Sequence, residues 1–174
     1  MAAAINEEYL PLCEKLDLRF GPENYPCDVN FATVPAIWEK LMALVPDHRF
    51  GLEFDPSHLV RQFVDPYQTA WDFKDRILGV HAKDTEIIEP VLAKVGIHGS
   101  DWWRYRIPGQ GRINWAKFIT VLLQVGFRGG MAVEHEDAFW DERAASGAEF
   151  PQSRKDGFIL ASRYLKQFVP GRLD

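Results

Sequence analysis

A chain of 174 residues that is 47% apolar can bury one substantial core, so residues 1–174 read as one domain. A formal charge of −5 leaves no concentrated basic face for a phosphate backbone, so no nucleic-acid partner is expected. Cys13 and Cys27 are too isolated for a disulfide framework or zinc ribbon, and neither a basic-then-apolar leader nor a run near the ~18 residues of a membrane span is visible; a cytoplasmic protein without membrane contact is expected.

Tyr9, Leu12, Cys13 and Leu16 fall at helical spacing, with Pro11 kinking that helix or lying near its start. LRFGPEN (18–24) follows as a short extended run ending at Glu23. From Val34 onward, Ile37, Trp38, Leu41, Met42 and Val45 form the apolar stripe of a second helix, which Pro46-Asp47 stops. RFGLEF (49–54) is a strand that reaches Asp55, and Asp65-Pro66 supplies an N-cap and first-turn proline for a helix through Tyr67, Ala70 and Trp71. RILGV (76–80) is a third strand, ending at His81. A helix opens at Asn114 with Trp115, Phe118, Ile119 and Leu122 on one side; Gly126 closes it, and GGMAVE (129–134) is the fourth strand. The last helix spans roughly 153–168, with Phe158, Ala161, Leu165 and Phe168 facing inward.

Strands alternating with helices imply βαβ units and a parallel sheet, hence an α/β fold. In such sheets chemistry gathers at the carboxyl ends of the strands. Those ends carry Glu23, Asp55, His81 and Glu134. A single acid at a strand end is usually a solvated loop residue or a helix cap. Four ligand-type residues at the same end of consecutive strands are a different matter, because three converging carboxylates without a cation would repel one another. The mixed oxygen and imidazole set suits Mn²⁺, Mg²⁺ or Co²⁺, with Zn²⁺ also able to fit.

ENYP (23–26), FDPSHL (54–59), HAKD (81–84) and the stretch from WWRYRIPGQGRINW to VEHED (133–137) resemble the xylose isomerase-like TIM-barrel proteins, the sugar phosphate isomerases/epimerases. That group includes ketose 3-epimerases, inosose dehydratases and hydroxypyruvate isomerases. The resemblance implies that Glu23, Asp55, His81 and Glu134 are the metal ligands on the last four barrel strands, and that His58 contacts substrate. It also implies that only the C-terminal half of a TIM barrel is present, four βα units corresponding to strands 5–8, whereas the fold ordinarily has eight. Two raw strand edges would follow, to be covered by a homodimer or a partner chain unless the chain is a truncated fragment.

An aromatic and arginine-rich insertion at about 85–113 is longer than a usual βα loop. Within it IIEPVLAKV suits a short helix, and Trp102, Trp103 and Tyr105 either cap the barrel or pack beneath the loop. Arg104 and Arg106 are candidates for binding a substrate carboxylate or phosphate. Lys83 is a candidate oxyanion stabiliser, with a surface ion pair as the plainer reading. His135 and Glu136 would support the ligands, and His48 and His98 are plain loop residues.

The resemblance implies a divalent-metal-dependent isomerase, epimerase or dehydratase acting on a ketose, sugar phosphate or keto-cyclitol through an enediolate. Glu23 and Glu134 would act as base and conjugate acid. The alternative is a catalytically incomplete half-barrel that binds metal or a partner without turnover. A metal-dependent nuclease, which the barrel also supports, is disfavoured by the acidic charge.

Overall fold

The computed structural model describes residues 1–141 and 153–170. A turn of helix, α1 (Ala2–Ala4), and a π-helical stretch, Ile5–Tyr9, lead into α2 (Leu10–Leu16). Pro11 lies near the start of α2, directly after the π-helical stretch that leads into it, and Asp17 ends the helix in the left-handed region at φ 51°. Only Cys13 of the expected stripe is buried; Tyr9, Leu12 and Leu16 are each more than half exposed, so the spacing makes a helix whose apolar side is left mostly uncovered by the described residues.

Next come α3 (Pro35–Leu44), β1 (Leu52–Phe54), α4 (Pro56–Arg61), α5 (Pro66–Asp72) and β2 (Ile77–Ala82). They are followed by β3 (Asp84–Ile87), α6 (Glu89–Val95), β4 (Trp103–Arg106), α7 (Trp115–Gln124), β5 (Gly130–Val133) and α8 (Arg154–Lys166). The helix starts follow local chemistry. Asp55 caps α4 through Ser57 N–H (2.7 Å), Asp65 caps α5 through Tyr67 and Gln68, and Asn114 caps α7 through Lys117 N–H (3.0 Å).

β1, β2 and β5 form a parallel sheet in that order, with Glu53 beside Gly79 and His81 beside Ala132. The expected first strand is reduced to two parallel bridges, Phe20 with Phe50 and Glu23 with Glu53. Pro22 has no N–H to give, so the run is held by Phe20 N–H to Arg49 O (2.9 Å), Gly51 N–H to Phe20 O (3.0 Å) and Glu53 N–H to Pro22 O (3.1 Å). Among the described residues the sheet does not close. No described helix is long and apolar enough to cross a membrane.

Strand alternation sorts the two faces of the sheet. Leu52, Phe54, Val80 and Ala82 turn into the main core with Trp38, Phe73, Trp115 and Phe118, and Met131 and Val133 pack against it. Glu53, Gly79, His81, Gly130 and Ala132 take the alternate positions, on the face that a closed barrel would enclose. Trp71 is 41% exposed rather than part of the α5 stripe, because Thr69 and Ala70 face the core instead. In α8 the inward set is Gly157, Ala161 and Leu165, and Phe158 is 40% exposed, one position off the expected face.

The insertion folds rather than looping. β3 and β4 pair antiparallel, Asp84 opposite Arg106 and Ile87 opposite Trp103, with α6 between them as IIEPVLAKV suggests. The segment after β4 returns beneath Asp84. A Cβ added at Gly111 would collide with the buried Asp84 carboxylate and Thr85 O, neither of which can swing aside. Gly111→Ala should therefore cost about 1–3 kcal/mol, the usual penalty for overpacking, seen as a lower urea midpoint. An unchanged midpoint would show that this segment is not held where described.

Candidate metal centre

Four donor atoms, one each from Glu23, Asp55, His81 and Glu134, lie within 4.8 Å of one another. The fold places them there. Asp55 follows β1 directly and Glu134 follows β5, His81 is the penultimate residue of β2, and Glu23 bridges to Glu53 on β1. His81 Nδ1 stands between the two glutamates, 3.0 Å from Glu23 Oε1 and 3.1 Å from Glu134 Oε2. Its Nε2 turns the other way, 3.5 Å from Glu53 Oε1, so that with a cation bound the ring proton would sit on Nε2 facing this carboxylate and Nδ1 would be the ligand atom. Glu53 was not singled out from sequence. Its signal was the period-2 spacing from Asp55, which puts both on one face of the strand.

Asp55 is fully buried. Its Oδ1 is spent on the α4 cap, while Oδ2 makes no well-aligned hydrogen bond, although Lys83 Nζ is 3.2 Å away and His58 Nε2 3.3 Å. An orphaned carboxylate oxygen aimed at a ring of oxygen and imidazole donors is what a hard divalent cation requires, and Mn²⁺, Mg²⁺, Co²⁺ or Zn²⁺ would fit the set.

The electrostatics follow from crowding. Burial alone would raise the Glu23 carboxyl, but hydrogen bonds and charge from His58 and His81 carry it down to about 2. Burial pushes Glu134 up, with the charges of Glu23 and Asp55 adding to it and Lys83 opposing. For His81, burial works against protonation, but the hydrogen bond with Glu23 and the charges of Glu134, Glu23 and Glu53 raise it overall.

The other residues singled out from sequence have specific partners. His58 is buried with both ring nitrogens engaged: Nδ1 lies 2.8 Å from Tyr105 Oη, and Nε2 is 3.3 Å from both Glu23 and Asp55. Its ring braces two of the four donors rather than facing open space. Lys83 is no surface ion pair: it is buried, with Nζ 2.6 Å from Glu136, 2.8 Å from Glu134 and 3.2 Å from Asp55, and those carboxylates hold its ammonium charged against the cost of burial. Arg104 pairs with Glu86 at 2.6 Å, and Arg106 with Glu86 and Asp137 at 2.6 and 2.8 Å, so both guanidinium groups are committed within the protein. Tyr105, which burial pushes up to about 12, reaches the cluster from the hairpin. Glu136 lies on Lys83, whereas His135 turns away to pack against Phe158 and Gly157.

The model of one protein family, described as xylose isomerase-like TIM barrel, matches residues 2–154. The chain belongs to that family. The uncharacterized protein YfiH of Bacillus subtilis (strain 168) is 31% identical over 97 residues, 50% of this chain and 31% of that protein. Inosose dehydratase of Clostridium botulinum (strain Eklund 17B / Type B) is 27% identical over 104 residues, 56% of this chain and 34% of the dehydratase. Among solved structures, the probable 3-DHS dehydratase AsbF of Bacillus anthracis superposes with a TM-score of 0.65 at 13% identity, over 95% of this chain and 56% of AsbF. The chain thus matches about a third of the length of these curated relatives and about half of that structure.

Proposed function

We propose that the rim of this sheet is the metal-dependent centre of a sugar isomerase, epimerase or dehydratase, acting on a ketose, sugar phosphate or keto-cyclitol. The observation that carries the reading is the convergence of Glu23, Asp55, His81 and Glu134 within 4.8 Å, with an Asp55 oxygen left without a hydrogen bond. Family membership and the inosose dehydratase relative support it. The cation would polarise a substrate carbonyl and the oxygen beside it.

The remaining work falls to the chain. Glu23 and Glu134 both reach His81 Nδ1, from the bridge beside β1 and from the end of β5, so the centre offers a substrate carbon two carboxylates from different elements. One takes the proton next to the carbonyl and the other returns it, giving isomerisation or epimerisation; loss of a β-hydroxyl from the same enediolate gives dehydration. Lys83 holds Glu134 and Glu136 at fixed positions, and His58 does the same for Glu23 and Asp55.

The test pairs metal binding with exchange. Mn²⁺ should bind once per chain and, at a thousandfold excess over its Kd, stabilise the fold by about 4 kcal/mol in urea. His81→Ala should abolish that gain. With Mn²⁺ present, deuterium from solvent should enter at the α-carbon of one or more members of a panel of ketoses and keto-cyclitols. An ordered chain that ignores Mn²⁺ would remove the proposal.

The open sheet favours a second reading, in which the same four residues bind metal without turnover. Gly130 and Ala132 on the enclosed face of β5 are exposed, so one wall of a substrate pocket would have to come from other residues, a second copy or a partner chain. Mn²⁺ binding without exchange on any substrate, regained when a complete eight-stranded barrel is supplied, would select it.

A further inference from the structure

Four cationic side chains surround the proposed centre, and three are neutralised. Lys83 is met by Asp55, Glu134 and Glu136, Arg104 by Glu86, and Arg106 by Glu86 and Asp137. The fourth is Arg61, which has no carboxylate partner among the described residues. It is half-buried, at the end of the helix that Asp55 caps and that carries His58, so the three residues fall one helical turn apart in sequence. Its guanidinium carbon lies over the Trp103 ring, 3.8 Å from the centroid, and Nη1 is 3.4 Å from Tyr105 Oη. That hydroxyl is 2.8 Å from His58 Nδ1, and the far side of the same imidazole contacts Glu23 and Asp55. One hydroxyl and one imidazole therefore stand between an unneutralised guanidinium and the metal-ligand cluster, in successive contacts of 3.4, 2.8 and 3.3 Å.

A guanidinium held over an indole is weakly hydrated and restricted in its rotamers, and its planar fork of donors can bind carboxylate or phosphate oxygens in two-point fashion. The surroundings sharpen the contrast. Lys83, Arg104 and Arg106 already have their carboxylates, so among these four side chains Arg61 is the one left for a negatively charged substrate end. We infer that Arg61, seated on Trp103, is the anion-recognising subsite of this centre, and that its substrate is a ketose derivative with a carboxylate or phosphate at the end remote from the reacting carbonyl. The inference rests on the function proposed above. It moves the anion contact from Arg104 and Arg106, where the sequence suggested it, to Arg61. The spacing Asp55, His58, Arg61 was its signal in the sequence.

The experiment is a binding titration of the chain loaded with Mn²⁺, read by calorimetry and by quenching of tryptophan emission. Three ligands form its arms: D-fructose, which is neutral, 5-keto-D-gluconate, which adds a carboxylate, and D-fructose 6-phosphate. At least one anionic ketose should bind about tenfold or more tightly than D-fructose, and the arm that does so tells carboxylate from phosphate. Arg61→Gln should bring that ratio close to one while Mn²⁺ binding is kept, and Arg61→Lys should retain part of it, having charge without the planar fork. Equal binding of neutral and anionic ketoses, or a preference that survives Arg61→Gln, overturns the inference. So does the absence of ketose binding altogether. The Mn²⁺ titration of the same sample then separates the two failures: bound Mn²⁺ leaves the proposed centre standing without its anionic substrate, and no bound Mn²⁺ removes both.

Discussion

Glu134→Gln should lower α-proton exchange with solvent by about 10²- to 10⁴-fold, the range assigned to a general acid or base, while leaving the chain folded. Glutamine keeps the shape of the side chain and one oxygen but removes its charge and basicity. The fold should survive because Lys83, whose buried ammonium would otherwise be stranded, still has Glu136 at 2.6 Å and Asp55 at 3.2 Å. Mn²⁺ affinity should weaken for want of one anionic donor, so exchange has to be compared at saturating metal. The loss should also fall on turnover rather than on ketose affinity, since a proton-transfer group acts in the transition state. Undiminished exchange in the metal-saturated variant would mean that the base lies elsewhere. Glu23→Gln is the matched control on the other side of His81. It should bind Mn²⁺ more weakly and lose exchange as well, because its Oε1 is shared with His81 and His58.

How far the sequence reaches depends on whether a feature is set locally or at a distance. Asp55 was legible twice over: an apolar run stops there, and Pro56 follows it as the first residue of a capped helix. His81 and Glu134 were legible because each falls where an apolar strand run gives way to polar residues, one place before the end of β2 and just past β5. Asn114 with the apolar spacing behind it marked α7 to the residue. The β3–β4 hairpin was not legible. Its strands pair Asp84 with Arg106 across an intervening helix, and no tight-turn signal joins them. The arginines show the same limit. Arg104 and Arg106 stand beside aromatic residues in sequence, yet Glu86 and Asp137 neutralise them in space, while Arg61, unremarkable in its own neighbourhood, is brought to Trp103 only by the folded hairpin. Residue type shows what a side chain is able to bind. Only the fold shows whether that capacity is already used.

Asp84 is where this distinction has its largest consequence for stability. The carboxylate is fully buried, and burial pushes it up, yet four donors converge on it: Thr85 N–H at 2.9 Å, Ile113 N–H at 3.0 Å, Gly109 N–H at 3.1 Å and Trp115 Nε1–H at 2.9 Å. These donors belong to β3, to the segment between β4 and α7, and to the first residue of α7, so one side chain ties the hairpin to the main core. Asp84→Ala would leave several donors buried without acceptors, each worth about 1–3 kcal/mol in a dry interior, and the sum is only partly relieved by local rearrangement. A loss of at least about 3 kcal/mol in urea unfolding is the expected result, a large share of the stability of a single domain. Asp84→Asn should lie between the variant and the parent, since its amide keeps an accepting oxygen but turns an NH₂ toward donors. The near-ultraviolet circular dichroism of Trp115 should weaken along with stability in both. A cost below about 1 kcal/mol for Asp84→Ala would show that water or rearrangement replaces the carboxylate, and the hairpin would then be held by its own ladder and by the ion pairs of Arg104 and Arg106.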